Sequence, residues 1–221
     1  GAFKIRTKWP VTYKGLKYDR EWMIVTSNGV GLTQKSNTRM CMITPNINVA
    51  NGTLELSFPY ANTITVPLNT SDQHEHILTT LCQSKVCGDR IEGIDCGDSI
   101  ADWLSDVLCT SDLRLIRQSA TDARTFKNKS QKDSIAHSIS LANKAQFLLI
   151  NETSVNWLLE KVDDWSDGDE SHTNQLNGAV DRFRGNFVVD TEQPLEEMQW
   201  QSLRIGGLNF EMVGPCTRCQ M

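Results

Sequence analysis

The chain contains 221 residues, of which 39% are hydrophobic and 22% are charged, a composition typical of one large globular domain or two small ones. Its 22 Lys and Arg residues against 27 Asp and Glu residues give a formal net charge of −5, without a basic run. This charge argues against nucleic acid binding, which requires a concentrated positive face. No apolar stretch approaches the length that crosses a bilayer, so we expect no membrane partner.

The cysteines indicate the compartment. An odd number at irregular spacing does not predict the disulfide framework of a secreted protein, and residues 1–10 do not resemble a signal peptide. We therefore expect reduced thiols and a cytoplasmic location. The seven residues are Cys41, Cys82, Cys87, Cys96, Cys109, Cys216 and Cys219.

Three segments alternate apolar and polar residues around a turn signal, and each predicts a β-hairpin with one buried face. The segments are residues 21–34, 52–68 and 202–213. In the second segment, Leu54, Leu56 and Phe58 supply the alternation, and in the third Gly206-Gly207 suits a tight turn.

Two segments carry apolar residues at the spacing of an amphipathic helix, namely residues 97–108 and 151–162. We expect Asp98 or Ser99 to cap the first helix.

The second helix has Thr153 or Ser154 as its predicted cap, and its predicted apolar stripe includes Val155 and Leu158. Two polar segments, residues 124–134 and 163–172, predict surface loops. The predicted class is therefore α+β and predominantly β, with a few packed helices.

The last eight residues, GPCTRCQM, place Cys216 and Cys219 three positions apart. A zinc site would need four ligands, and Cys82 and Cys87 could complete it. A thioredoxin-type pair belongs at a helix start, whereas this pair follows a predicted strand and a proline. Two ordinary thiols remain a third interpretation. His74 and His76 could also bind a metal ion, although two solvent-exposed histidines are the simpler interpretation.

Several arginines accompany these thiols. Arg218 lies between the two cysteines, Arg20 follows Asp19 before a predicted strand, and Arg184 and Asn186 precede another apolar strand. Guanidinium groups match phosphate oxygens, and a thiolate is a soft ligand for a thiophilic metal. Together these residues predict a pocket for an anionic, metal-bearing small molecule.

Five ordered segments resemble one known family. They are GLKYDREWMIVTSNG, RIEGIDCGDSIADWLSDVL, AQFLLINETSVNWL, FRGNFVVD and EEMQWQSLRIGGLNFEMVGPCTRCQM. They are similar to the C-terminal region of the molybdenum cofactor sulfurase family, which has a MOSC domain and a β-barrel domain before it. The resemblance implies a MOSC-type β-barrel preceded by a smaller barrel-like domain. It places the first domain at residues 1–75 and the MOSC domain at residues 76–221, with the start of one and the end of the other truncated.

The resemblance also implies a function. The sulfurase branch binds molybdopterin-bound molybdenum and supports transfer of persulfide sulfur to it, which activates xanthine dehydrogenase and aldehyde oxidase. Pyridoxal phosphate would be needed only in a cysteine desulfurase domain that this chain lacks and that acts as the sulfur donor. The implied partners are thus molybdopterin, that desulfurase domain and the recipient molybdenum hydroxylases. An amidoxime-reducing molybdenum enzyme and a metal-free interaction domain remain alternatives.

Residue roles follow from the same resemblance. Cys219 is the implied molybdenum ligand, and Cys219 and Cys216 are the implied sulfur carriers. The residues implied to contact the cofactor are Arg20 at its phosphate, Arg184 and Asn186 at the pterin, and Arg218, Ser154 and Thr217. The family's Lys-Ser phosphate contact would precede Gly1, and its proline between the Arg and the Asn is Gly185 here.

Overall fold

The structure is a computed structural model that describes residues 8–69, 84–86, 89–126, 136–142, 145–162 and 171–216. Within these ranges the strands are β1 (Val11–Thr12), β2 (Gly15–Leu16), β3 (Trp22–Thr26), β4 (Thr44–Asn48), β5 (Thr53–Ser57), β6 (Ile64–Pro67), β7 (Ser84–Val86), β8 (Asp89–Ile91), β9 (Gly93–Asp95), β10 (Leu113–Gln118), β11 (Thr125–Phe126), β12 (His137–Ser138), β13 (Leu149–Asn151), β14 (Phe187–Val189), β15 (Ser202–Ile205) and β16 (Leu208–Glu211). The helices are α1 (Asp98–Leu108), α2 (Glu152–Leu159) and α3 (His172–Phe183), with short 3-10 helices at Thr38–Met42 and Glu196–Gln199. The predicted α+β class with a predominance of strands is confirmed.

The chain divides into two compact units. The first unit comprises residues 3–127 and 135–146, and the second comprises residues 1–2, 128–134 and 147–221. The predicted domain boundary between residues 75 and 76 lies outside the described residues and stays a prediction. Among the helices that the structure describes, none has the length and hydropathy of a membrane-spanning segment.

The first unit is built around β10, which pairs antiparallel with β3 on one side and with β9 on the other. Val25, Leu113 and Ile116 of this sheet are fully buried. The hairpin predicted for residues 21–34 is confirmed, because β3 turns back and forms an antiparallel bridge between Val25 and Gly31. Both faces of this sheet are buried, because Ile24 and Leu113 belong to one core cluster and Val25 and Ile116 to another.

A second antiparallel sheet of the first unit has the order β4-β5-β6. Leu54, Leu56 and Phe58 are exposed by only 4, 6 and 8% of their surface, as the alternation predicted. These side chains pack in one core cluster with the buried face of α1, where Leu104 is fully buried. The hairpin and the helix predicted for this part of the chain are both confirmed.

The cap of α1 differs from the prediction. Gly97 is the N-cap residue, with a φ of 101°, and no side chain caps the helix. The N–H of Gly97 donates to Asp95 Oδ1 at 2.8 Å, so the turn is closed before the helix begins. Asp98 instead accepts a hydrogen bond from Arg114 Nη1 at 2.6 Å. The prediction of Asp98 or Ser99 as the cap is therefore wrong.

The second unit contains a parallel pair, in which β13 and β14 are aligned from Leu149 and Phe187 onwards. Helix α2 starts directly after β13, and Asn151 caps it by accepting a hydrogen bond from the Thr153 N–H. The predicted cap at Thr153 or Ser154 is thus wrong by two or three residues, because the strand continues without a loop into the helix.

The core of the second unit is small. Its buried cluster consists of Val155, Ala179 and Val180, which come from α2 and α3. Leu158, predicted to lie on the buried stripe, is 45% exposed. Helix α3 was not predicted, and it includes His172, the last residue of the predicted loop at 163–172. Residues 163–170 of that loop lie outside the described residues.

The hairpin predicted for residues 202–213 is confirmed as β15 and β16, with Ile205 opposite Leu208 across the turn at Gly206-Gly207. Its tip is exposed, by 41% at Ile205 and 49% at Leu208, against the prediction of a fully buried face. At the base of the hairpin, the ring of Phe210 packs against the rings of Phe147 and Phe187 at centroid distances of 5.3 and 5.1 Å.

The other predicted loop, residues 124–134, begins with a strand. Residues Thr125 and Phe126 form β11 and pair with Ser138 and His137 of β12. Residues 127–134 lie outside the described residues. The prediction of a loop is therefore wrong for residues 125 and 126, which form a strand.

Candidate functional site

Arg20 lies in the connection between β2 and β3 of the first unit. Its backbone is left-handed, with a φ of 54°, and the backbone of Tyr18 is also left-handed, with a φ of 70°. The guanidinium of Arg20 forms an ion pair with the carboxylate of Asp19, whose side chain is only 7% exposed, while the Arg20 side chain is 28% exposed. A buried carboxylate thus anchors a cation that solvent reaches in part, which suits a phosphate-binding role.

Arg184 and Asn186 lie where α3 passes into β14. Arg184 is the C-cap of α3, in a left-handed conformation with a φ of 55°. The N–H of Asn186 donates to the carbonyl of Leu148 at 2.7 Å, and its Oδ1 accepts a hydrogen bond from the Leu148 N–H at 2.9 Å. These two bonds extend the parallel pairing by one residue before β14 and fix Asn186 at the edge of β13.

Gly185 is the residue at which the two parallel segments approach most closely. A Cβ at this position would lie 2.5 Å from Ile150 Cγ1 and 3.3 Å from Ile150 Cβ. Such contacts are far shorter than van der Waals distances, so only glycine fits beside Ile150. A proline at this position would bring the same Cβ and meet the same atoms of Ile150.

Ser154 lies in the first turn of α2, beyond the carboxyl end of β13. Its Oγ donates to Glu197 Oε2 at 2.9 Å and accepts from the Leu195 N–H at 2.7 Å. The same carboxylate accepts a hydrogen bond from Asn151 Nδ2 at 2.6 Å, and Asn151 is only 2% exposed. Ser154 therefore ties the 3-10 helix at Glu196–Gln199 to α2, and its role at a cofactor stays a prediction.

An open surface depression of about 510 Å³, called the acidic cavity below, lies beyond the carboxyl end of β14 in the second unit. Its lining residues are Asp190, Thr191, Glu192, Glu196 and Trp200. Three carboxylates give this cavity a negative potential, so it does not suit a phosphate group. The arginines, and not the acidic cavity, are the candidates for anion binding.

The cysteines differ in exposure. Cys216 is exposed, as are Cys41 and Cys109. Cys96 is partly buried against the core of the first unit, and burial, followed by the nearby charge of Asp95, raises the pKa of its thiol to about 12. Cys96 is therefore a protonated core thiol at neutral pH, whereas Cys216 is accessible to a reaction partner.

The remaining predicted site residues cannot be placed. Thr217, Arg218 and Cys219 lie outside the described residues, as do Cys82 and Cys87 of the zinc hypothesis and the histidines at 74 and 76. Within the ranges described, no three His, Cys, Asp or Glu residues are grouped as a metal site.

The structure places Arg184, Asn186, Ser154 and Cys216 in the second unit, and Arg20 in the first. The sequence analysis did not single out Asn151 or Glu197. An asparagine directly before a helix pattern was the available sequence signal for Asn151, since such residues are preferred N-caps.

Comparison with known proteins identifies the family. The profile of the MOSC N-terminal beta barrel domain matches residues 2–111, and the profile of the MOSC domain matches residues 136–221. The chain belongs to the MOSC family. The resemblance stated from the sequence motifs is thereby confirmed.

Curated relatives match this MOSC chain over its whole length. "Molybdenum cofactor sulfurase" from Bombyx mori is 50% identical over 221 residues, which are 100% of this chain and 26% of the relative. "Molybdenum cofactor sulfurase 3" from Aedes aegypti is 48% identical over 100% of this chain and 28% of its own length. The Drosophila melanogaster "Molybdenum cofactor sulfurase" is 46% identical over 100% of this chain and 25% of its own length. The MOSC chain thus spans about a quarter of these relatives.

A solution structure of a Bordetella bronchiseptica protein is also similar, with a TM-score of 0.40 and 16% identity over 55% of this chain and 95% of that one. A similarity at this level supports no functional argument.

Proposed function

We propose that this MOSC chain is the cofactor-binding region of a molybdenum cofactor sulfurase, which holds molybdopterin-bound molybdenum while sulfur is delivered to it. The observation that carries the proposal is the similarity to relatives of that name at 46 to 50% identity along the entire chain. The same observation favours the sulfurase over an amidoxime reductase and over a metal-free interaction domain.

The described residues fit such a substrate in their chemistry. Arg20 and Arg184 supply guanidinium groups for the phosphate and the pterin, and Asn186 supplies a carboxamide. The accessible Cys216 supplies a soft sulfur atom, as a thiophilic metal requires. We further assign Cys219 as the molybdenum ligand, with Arg218, Ser154 and Thr217 as supporting contacts.

Sulfur delivery has a definite electron balance. A persulfide on one cysteine carries its outer sulfur at the oxidation level of elemental sulfur. If a second thiol attacks the inner sulfur, a disulfide forms, hydrogen sulfide leaves, and the disulfide must later be reduced by an external thiol. Hydrogen sulfide can then exchange for an oxo group of the substrate, with water as the leaving product. Cys216 and Cys219 are the pair that we assign to this exchange, so Cys219 can bind molybdenum only while it is a free thiolate and not part of the disulfide.

The proposal includes partners and a compartment. A cysteine desulfurase domain with pyridoxal phosphate would load the persulfide, and molybdenum hydroxylases would receive the sulfurated product. Free thiols at Cys41, Cys109 and Cys216 require a reducing environment, which suggests the cytoplasm.

The test is a titration of the purified chain with a phosphorylated pterin derived from molybdopterin, in which fluorescence measures binding. We expect a dissociation constant in the micromolar range or below, and we expect Arg20→Ala or Arg184→Ala to weaken binding about tenfold, because each removes a charge-assisted hydrogen bond. Arg204→Ala is the matched control, since Arg204 is an exposed arginine on β15 whose Nε donates to the Gly206 carbonyl at 3.2 Å.

Sulfur loading provides a second readout. Incubation with a cysteine desulfurase and radiolabelled cysteine should label the chain, and the Cys216→Ser and Cys219→Ser variants together should abolish the label. An unaltered chain that binds no phosphorylated pterin would refute the proposed function. Turnover of an N-hydroxylated amidine by the molybdenum-loaded chain would instead favour the reductase.

A further inference from the structure

Arg124 is a buried cation outside the residues assigned to the site. It precedes β11 in the first unit, and only 6% of its surface is exposed. Its Nη1 donates to the carbonyl of Ser140 at 2.6 Å and to the carbonyl of Ala142 at 2.5 Å. Burying a guanidinium is costly unless its donors are satisfied, so these two contacts are integral to the fold of this segment.

The contact with Ser140 determines the direction of the next N–H group. The carbonyl of Ser140 and the N–H of Leu141 belong to the same peptide unit, and in a trans peptide they point in opposite directions. Because the carbonyl faces Arg124, the N–H faces away from it. That N–H donates to the carbonyl of Arg20 at 2.9 Å. A single peptide unit therefore connects the buried arginine to Arg20.

The neighbouring peptide is fixed as well. Gln118 is 8% exposed, and its Nε2 donates to the carbonyl of Ile139 at 3.1 Å. Residues 139–142 are thus held by two buried side chains, and Leu141 donates its N–H to Arg20. A segment with this many fixed carbonyls has little freedom to move relative to Arg20.

Arg20 needs this support because of its backbone. Its φ of 54° is one that residues other than glycine adopt only where the surroundings hold them. The hydrogen bond from Leu141 secures the carbonyl end of the residue, and the ion pair with Asp19 secures the side chain.

We propose that Arg124 is a positioning residue for Arg20: through the Ser140–Leu141 peptide it keeps Arg20 in the conformation from which its guanidinium meets the phosphate of the pterin substrate. This inference rests on the proposed function, in which Arg20 contacts that phosphate. It assigns to the buried arginine a role in phosphate selectivity beyond the stability of the fold.

The experiment compares two ligands, a phosphorylated pterin and the same pterin after phosphatase treatment. The variants are Arg124→Met, which removes the donors, and Arg124→Lys, which keeps the charge and can donate to at least one of the carbonyls. The affinity ratio is the affinity for the phosphorylated pterin divided by that for the dephosphorylated pterin. We expect Arg124→Met to lower this ratio about fivefold, as is typical of residues coupled through one hydrogen-bond network. We expect Arg124→Lys to restore part of the ratio. Affinity for the dephosphorylated pterin should not change.

Arg39→Met is the matched control. Arg39 donates from Nε to the carbonyl of Val107 at 2.9 Å in the same unit, so its loss also removes a bond between an arginine and a carbonyl. It should leave the affinity ratio unchanged even if it lowers the melting temperature. Amide exchange of Leu141 gives an independent readout, and it should accelerate in Arg124→Met but not in Arg39→Met.

The outcomes separate the two proposals. If Arg20→Ala lowers the affinity ratio while folded Arg124 variants keep both the ratio and the protection of Leu141, the positioning role is overturned and the proposed function stands. If Arg124→Met does not fold, the same comparison is made with Arg124→Lys alone. If the unaltered chain binds neither pterin, the proposed function and the positioning role are both overturned.

Discussion

Gly185 shows how a single missing side chain determines the geometry of a candidate site. It stands between Arg184 and Asn186, and its lack of a Cβ lets the chain pass within contact distance of Ile150 on β13. The side chains on either side are held at this edge because the residue between them takes no space. Gly178 of α3 is different, since a Cβ there would meet nothing within 4 Å.

The first prediction concerns this close approach. Gly185→Ala should lower the free energy of unfolding by about 1–3 kcal/mol, because the new methyl group overlaps Ile150. Gly178→Ala should raise it by about 0.5–1 kcal/mol, because alanine is the better helix former at an open position. Urea unfolding of the two variants measures both changes.

A double-mutant cycle identifies the cause. Ile150→Ala removes the atom that the methyl group would overlap, so the cost of Gly185→Ala should shrink in that background. An equal cost in both backgrounds would show that the steric explanation is wrong.

At the scale of elements, the junction of β13 and α2 connects three parts of the second unit. Asn151 ends the strand, caps the helix through Oδ1, and donates through Nδ2 to Thr191 and Glu197. The carboxamide of Asn151 therefore supplies both a hydrogen-bond acceptor and a donor. An ionised carboxylate could not replace it, because a carboxylate only accepts hydrogen bonds.

The second prediction exchanges that donor for a charge. Asn151→Asp keeps a good capping oxygen but places a second carboxylate against Glu197 in a buried position, which should cost about 2–4 kcal/mol at pH 7. Repulsion and burial raise the pKa of the introduced carboxyl in the folded state above its unfolded value. The folded variant then binds more protons than the unfolded chain, so its stability should fall as the pH rises from about 4 to 7.

Thermal unfolding at pH 4, 5.5 and 7 measures this dependence. Asn46→Asp is the control, because Asn46 also donates to a glutamate, Glu55, at 2.9 Å but at an exposed site. Its effect should stay within about 0.5 kcal/mol at all three values. A pH-independent loss in Asn151→Asp would contradict the repulsion mechanism.

The elements also show what the sequence could and could not predict. Hairpins with local turns, such as that at Gly206-Gly207, and the amphipathic pattern of α1 are encoded by neighbouring residues, and these predictions are confirmed. The caps were missed because a glycine, Gly97, takes the N-cap position of α1 without a side chain, and because Asn151 caps α2 from the end of the preceding strand. Helix α3 was missed because it buries only Ala179 and Val180.

Non-local pairing limited the prediction of the site. The parallel pair β13–β14 joins residues about 38 positions apart, from Leu149 to Phe187, and no local pattern specifies that partner. The motif of Arg184 and Asn186 was predicted to precede a strand, which is confirmed. That the Asn186 side chain would accept a hydrogen bond from Leu148 depends on this pairing and could not be predicted.

At the scale of the whole molecule, the two units have unequal cores. Among the residues that the structure describes, the main cluster of the first unit contains twelve buried residues, including Leu104 and Leu113, whereas the cluster of the second unit contains three. Since buried apolar area is the main source of stability, the second unit should open more readily.

The third prediction follows from this difference. In native-state hydrogen exchange, the amides of β10 should be more protected than those of β13 by at least about 2 kcal/mol of opening free energy. A phosphorylated pterin at 100 times its dissociation constant should protect the amides of β13 by up to about 2.7 kcal/mol, if it binds only the closed form. Equal protection of both strands without ligand would contradict the ranking of the cores.

The two hydrogen bonds between Asn186 and Leu148 have an evolutionary consequence. They set the alignment of β14 with β13 at the point where the strand begins, independently of how many residues separate α2 from α3. We therefore expect the sequences of relatives to contain insertions and deletions between the positions of Leu159 and His172. Arg184 and Asn186 would keep their positions relative to β13 while the length of the connection between α2 and α3 varies.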